Sequence, residues 1–284
     1  MSKSPESADP NGAQLAALHA ALAAHMDKLK PLIKSLEKAT AKGADNRIDL
    51  LAAARQCLNS TALGPFDFNP LAQPTLQDLD LRLRNLRLTL RAQLMSALHS
   101  QAQQEGTQIE VLSDTPLTLL LAPLVLEADL DNGSAALFYA REKLAEMPLE
   151  AKGILAQRKG LIETIRKNAC DSASFWAALL KAYRMVLVHR DLPQGERVDL
   201  VDTLAPLAWL LDPSSGRKTT PYPRHMLAYQ LYRLQREAHL QHEGLRLELG
   251  TATGGSTRHK AKVLFVPSSH TEGFYYLSLR FVSK

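Results

Sequence analysis

Apolar residues recur at steps of three and four through the first hundred positions. Leu15, Leu18, Leu22, Met26, Leu29, Ile33 and Leu36 form one stripe, and Leu76, Leu79, Leu83, Leu86, Leu90, Leu94 and Leu98 form another. At 3.6 residues per turn, each stripe occupies one face of a long amphipathic helix. Pro31 lacks an amide N–H and is expected to kink or split the first helix. A short helix is predicted over 48–58. The stretch 59–74 is dense in Pro, Gly and Asn and reads as a loop. Asp78 and Asp80 then fall in the first turns of the second helix, where its dipole favours anions. Arg82, Arg84, Arg87 and Arg91 cover the rest of that cylinder as a solvated face or a contact for phosphate or an acidic partner. Residues 1–12 are polar and turn-rich, and they read as a disordered tail with no signal peptide.

The period then changes. Segments 107–112, 117–128 and 134–139 read as strands of a small antiparallel meander. Asn132-Gly133 is a hairpin signal, because both central positions of a type I′ turn need positive φ. Helix is expected again from about residue 140, interrupted near Pro148 and continuing over 149–168. Asp171 and Ser172 are candidate caps for a helix that carries Phe175, Leu179, Tyr183 and Val186 on one face. A turn at 193–195 and a helix over 198–211 follow. Trp176 and Trp209 are expected in the core.

Residues 213–223 read as a linker. Beyond it come a helix over 224–242 closed by Gly244, a strand over 245–251, a Gly/Ser/basic loop over 253–261, a strand over 262–267 and a last strand over 274–282. Alternation in the last strand places Tyr275, Leu277, Leu279 and Phe281 on one face, and Tyr276, Ser278 and Arg280 on the other. The predicted class is α+β, mostly α. A helical body (13–212) holds a meander near 107–140, and a helix-plus-β-hairpin, winged-helix-like domain occupies 224–284.

Charge sharpens this division. The chain carries a formal net charge of +5, yet residues 217–284 alone hold 11 Lys/Arg against 4 Asp/Glu. The same segment holds half of the aromatic residues. A basic, aromatic module on a balanced body points to an anionic polymer, nucleic acid first. The candidate contacts are Arg224, Arg233 and Arg236 on the helix, and Arg258, His259, Lys260 and Lys262 at the expected hairpin tip. Counterion release would supply sequence-independent affinity there. A solvated hairpin that meets another protein is the competing reading.

No catalytic motif emerges. The segment 250–257 approaches a phosphate-binding loop, but Ser256 replaces the lysine and a strand follows where a helix is needed. Asp131 with Glu150-Ala151-Lys152 resembles a nuclease constellation, but the triplet falls in a helical stretch. His239 and His242 share a helix face without a visible third ligand, so neither metal nor cofactor is expected. No nucleophile elbow and no dinucleotide fingerprint is present. Cys57 and Cys170 have no spaced partners and read as small buried residues in a reducing, cytoplasmic setting. The apolar run 117–126 is too short to span a bilayer as a helix.

The segments Tyr222-Pro223-Arg224-His225, Leu231-Tyr232-Arg233-Leu234 and Leu245 to Thr253 (LRLELGTAT) are similar in layout to the C-terminal parts of accessory subunits of SMC/Rad50-type ATPases in bacterial anti-phage and anti-plasmid systems. The likeness covers about a quarter of the chain. It implies a helix-rich, non-catalytic subunit that bridges an ATPase, DNA and an effector. The expected function is therefore a non-enzymatic accessory subunit that contacts DNA through its basic end. A protein-only scaffold and a winged-helix transcription or plasmid-replication regulator are the alternatives. The two apolar stripes are candidate partner-helix seams, or core packing within the chain.

Overall fold

A computed structural model describes residues 10–42, 47–60, 69–211, 221–237, 240–242, 244–269 and 272–283, with the side chains of 10–18, 22, 69–71, 256 and 258 outside the description. The fold is α+β and divides into two compact units. One comprises Met1–Ser96 and Asp129–Gly133, and the other Ala97–Ala128 and Ser134–Lys284.

The first unit is helical. Helix α1 (Pro10–Thr40) continues through Pro31, so the proline does not split it. It also begins inside the expected tail, whose residues 1–9 lie outside the described residues. Helix α2 (Ile48–Ser60) appears where expected. Helix α3 (Asn69–Gln104) starts earlier than predicted, with Pro70 in its first turn, where a missing N–H costs nothing, and Pro74 inside it. Ala39, Ile48, Leu51, Ala54, Leu79 and Leu83 form the shared core, with Leu36, Leu86 and Leu90 packed on it. The α3 stripe is thus core. The α1 stripe is split among the described side chains: Leu36 packs on this core, whereas Met26 and Ile33 are 64% and 53% exposed, and the buried α1 residues are Leu32 and Ala39. Asp78 and Asp80 lie well past the first turn of α3 and pair with Arg82 and Arg55.

The second unit opens with five antiparallel strands in sequence order. These are β1 (Glu110–Asp114), β2 (Leu117–Leu121), β3 (Leu124–Asp129), β4 (Ser134–Tyr139) and β5 (Glu142–Pro148). The expected single strand over 117–128 is two strands folded back at Ala122-Pro123. That turn is held by the Arg158 guanidinium, which donates to the carbonyls of Leu121 and Ala122. The helix expected from residue 140 is β5. The β3–β4 turn is not type I′, because only Gly133 has positive φ (63°). The Asp129 carboxylate instead accepts the amides of Asp131 and Asn132.

Helices α4 (Ala151–Asn168) and α5 (Ser172–His189) follow. Asp171 caps α5 by accepting the Ser174 amide at 2.9 Å, and Phe175, Trp176, Leu179, Tyr183 and Val186 are buried as predicted. The predicted helix over 198–211 begins as strand β6 (Val198–Asp199), passes through a 3-10 turn and ends as α6 (Leu204–Leu211). Trp209 on α6 is 60% exposed, a correction to its expected core place.

Helix α7 (Arg224–Arg236) is shorter than predicted. Residues 241–242 instead form β7 (Gln241–His242), hydrogen-bonded to β8 (Leu245–Thr251), and Gly244, at φ 75°, lies in the turn between them rather than closing a helix. The sheet is completed by β9 (Leu264–Pro267) and β10 (Gly273–Ser283). β8 and β9 do not pair with each other: both pair with β10, β9 along its first residues and β8 along the remainder. The hairpin is therefore β9–β10, and at its end the Ser268 amide donates to Glu272 O at 2.8 Å. The basic loop is a connection that crosses from one side of β10 to the other. Strand β6 also pairs with β10, and the Tyr222 amide donates to Leu204 O at 2.9 Å. The expected boundary at 213–223 consequently does not divide two bodies, although 212–220 lie outside the described residues.

A bulge between Tyr276 and Ser278 breaks the alternation of β10. Tyr276 joins Leu279 and Phe281 in the core, where Phe281 stacks edge-on to Trp176 at 4.8 Å. Tyr275 is thereby turned away from that core.

Candidate nucleic-acid interface

The predicted cations separate into two groups. Arg224, in the first turn of α7, is half-buried. Its Nε donates to Glu142 Oε1 on β5 at 2.7 Å. Its Nη1 donates to Ala261 O at 3.2 Å, and its Nη2 to Lys260 O at 3.0 Å and to Val263 O. This guanidinium pins the crossing loop from beneath. Arg233 donates to Cys170 O at 2.9 Å and pairs with Glu237 at 3.2 Å, tying α7 to the α4–α5 junction. Two of the seven candidates are thus committed to the fold.

The others are presented outward. Arg236 is exposed, and its Nη1 donates to Tyr232 Oη at 3.1 Å. His259, Lys260 and Lys262 are exposed, and none forms an ion pair among the described residues. The Lys262 amide donates to His259 O at 2.8 Å, so the two lysines and the imidazole ride on one closed turn. Arg258 ends a 3-10 turn over Gly254–Arg258; its side chain lies outside the described residues.

The outer face of the terminal sheet is basic but largely compensated. Glu248 on β8 pairs with Arg280 at 2.7 Å, with Arg246, and with Arg197 at 3.6 Å. Hydrogen bonds from Arg280 and Arg246 hold its carboxyl below the usual carboxylate range. Gly250 leaves room for this cluster. A Cβ there would sit 2.3 Å from Ser278 Oγ and 2.7 Å from Arg197 Nη1.

A cleft of about 990 Å³ adjoins the loop. Lys260 and Arg224 line it, together with Tyr139, Tyr229, Tyr232, Phe265 and Tyr275. Arg141 projects into it from the β4–β5 turn. Ala140 and Arg141 have φ of 50° and 64°, a left-handed pair with neither Gly nor Asn. Each such residue costs roughly 1–2 kcal/mol. Strain of this kind persists only where surrounding contacts over-determine it. Those contacts are visible: the guanidinium lies 4.4 Å from the Phe265 ring centroid and 5.0 Å from that of Tyr275, and Nη1 donates to Tyr275 Oη at 2.7 Å. Phe265 and Tyr275 are register partners on β9 and β10 with centroids 5.2 Å apart. A Cβ at Gly273 would come within 2.6 Å of the Phe265 ring, so glycine there clears its seat.

The sequence carried no local signal for Arg141. Its turn lacks the residues that favour positive φ, and its stretch reads as helix. The bulge that turns Tyr275 toward Arg141 is equally silent. Among the described residues no group of three or more His, Cys, Asp or Glu side chains converges as a metal site. His242 lies on β7 and stacks edge-on to Trp176 at 5.6 Å, while His239 lies outside the described residues. Cys170 is half-buried, with its thiol pushed up by burial and its Sγ accepting from Gln230 Nε2 at 3.0 Å. Among the described residues no helix is long and apolar enough to cross a membrane. No family model, curated protein or solved structure matches this chain.

Proposed function

We propose that this chain is a non-enzymatic accessory subunit of a multi-protein machine, and that it contacts DNA through the crossing loop of its C-terminal sheet. One observation carries the reading. His259, Lys260 and Lys262 are exposed without ion pairs among the described residues, on a backbone that Arg224 holds through three carbonyls. Cations fixed on an ordered loop meet phosphates with less entropy to lose than cations on a mobile one. Arg236 at the end of α7 and Arg258 on the loop extend the same contact. An SMC/Rad50-type ATPase as the protein partner follows from the resemblance of the C-terminal segment.

Exposed Met26 and Ile33 on α1 and Leu81 and Leu88 on α3 favour protein contacts elsewhere on the chain. They support the scaffold reading as a second role. Fluorescence anisotropy with labelled DNA at two salt concentrations tests the proposal. Binding that weakens with salt, and that falls when Arg258, Lys260 and Lys262 are changed to alanine, supports it. Absence of binding at low salt leaves the protein-only scaffold.

A further inference from the structure

We infer that the Arg141 cleft accepts an unpaired nucleotide, so that the chain binds single-stranded nucleic acid in preference to duplex. This deepens the proposed DNA contact and rests on it. The cleft and the basic loop share Lys260, which lines the first and belongs to the second. A backbone phosphate held on the loop is therefore followed directly by space for a nucleotide. A volume of about 990 Å³ suits a base and its sugar.

The lining supplies what an unpaired base needs. Single strands are held by cations that track the backbone and by π-faces on which bases stack, aromatic rings and the flat guanidinium of arginine alike. Here Arg141 is stacked on Phe265 and Tyr275, and Tyr229 and Tyr232 on α7 contribute further rings. Anchoring uses only Nη1 of Arg141. Its Nε and Nη2 have no hydrogen-bond partner, and its charge no carboxylate partner, among the described residues. Those donors are free for a phosphate or a base carbonyl. A duplex cannot offer a base face to these rings, because its bases are stacked on one another and only their edges and the phosphates reach the surface.

A left-handed turn built without glycine also argues for display. The strand pairing of β4 with β5 would form equally well around Asn-Gly, yet the chain places an arginine at this strained corner and seats it on two rings.

The test is a parallel titration of fluorescein-labelled oligo-dT and a mixed-sequence duplex, with wild type, Arg141→Gln, Tyr275→Phe and the Lys260→Ala/Lys262→Ala double variant. Wild type is expected to bind oligo-dT more tightly than the duplex. Arg141→Gln should lose about tenfold on oligo-dT, a loss in the range of one stacked base, and distinctly less on the duplex, which can use only the charge of the guanidinium. Tyr275→Phe keeps the ring and removes the anchoring hydroxyl, so it should lose less. The double lysine variant should weaken both ligands. Equal wild-type affinity for the two, or an Arg141→Gln protein that binds oligo-dT like wild type, overturns the inference and leaves the DNA contact standing. Binding to neither ligand removes both. Thermal melting of each variant separates a lost contact from a lost fold.

Discussion

Arg224 and Arg233 on α7 spend their donors inside the fold, whereas Lys260 and Lys262, on the loop that Arg224 pins, meet no carboxylate among the described residues. All four count equally toward the positive charge of the terminal segment. They differ in reach. A guanidinium has five donors in a fixed plane and can satisfy a carboxylate and several carbonyls together, so it is worth burying. An ammonium is a strongly hydrated point charge and stays in water unless paired. Net charge therefore overstates the surface available to a polyanion. Of these two arginines, both expected to touch DNA, Arg224 instead holds the loop that carries these lysines, and Arg233 ties α7 to the α4–α5 junction.

The largest effect expected from this contrast is on folding. Arg224→Ala removes a half-buried ion pair and leaves the carbonyls of Lys260, Ala261 and Val263 without their donor. Hydrogen bonds to charged groups contribute about 1.5–3 kcal/mol each, and losing this set should cost at least about 2–3 kcal/mol in a denaturant or thermal melt. Arg224→Lys should recover only part of it. A melt unchanged by Arg224→Ala would mean the loop is held by other contacts, and the distinction between holding and displaying cations would lapse.

The complementary variant should be silent in a melt and loud in binding. Changing Lys260 and Lys262 together to alanine removes exposed groups, so stability should move by no more than about 0.5 kcal/mol. The plot of log affinity for duplex DNA against log salt should lose up to about 2 from its slope, one phosphate contact for each lysine. A slope that stays constant would place the phosphate contact elsewhere.

A smaller gain should come from the β4–β5 turn. Ala140→Gly relieves one left-handed non-glycine residue and should stabilise by up to about 1 kcal/mol, less the contacts of a buried methyl. Gly133→Ala at the neighbouring β3–β4 turn should do the reverse, because φ is 63° there. The two measurements together show whether strain at residue 140 is carried for the sake of Arg141 or is absorbed locally.

Much of this architecture was readable in the chain. The stripe of α3, the Asp171 cap, the buried face of α5 and the strand character of the last segment follow from short-range rules, and all are present. The losses share a cause. Strand β5 has the burial pattern of a half-exposed strand in a stretch of helix-favouring Glu, Lys, Leu and Ala, and its pairing with β4 overrides propensity. The hairpin partner of the basic loop was misassigned because neighbours in sequence were assumed to be neighbours in the sheet, whereas β10 takes both. On α1, Leu36 packs on the helical core whereas Met26 and Ile33 do not, since periodicity defines an apolar face but not which part of it finds a partner. The committed roles of Arg224 and Arg233 depend on Glu142, Cys170 and Glu237, and two of those three lie more than sixty residues away. Of the candidate site, the exposed loop cations were legible and the Arg141 cleft was not.

The smallest expected effect concerns His225, which follows Arg224 in the first turn of α7. Burial pushes its pKa below the usual imidazole value, and nearby Glu142 opposes this only in part. Glu142 is also paired with Arg224, at 2.7 Å. The sign of the pH dependence follows. Between the ordinary imidazole pKa of about 6.5 and the lower folded value, the unfolded chain binds more protons than the folded one, so stability falls as pH drops through that window. Thermal melts from pH 7.5 down to pH 5 should show a falling midpoint, and His225→Gln should flatten that part of the curve. Arg224→Lys tests the link to the arginine. A weaker clasp frees Glu142 to favour the imidazolium, so the pH dependence assigned to His225 should shrink in that background. If it instead grew, Glu142 would not be shared between Arg224 and His225, and the first turn of α7 would titrate independently of the loop it holds.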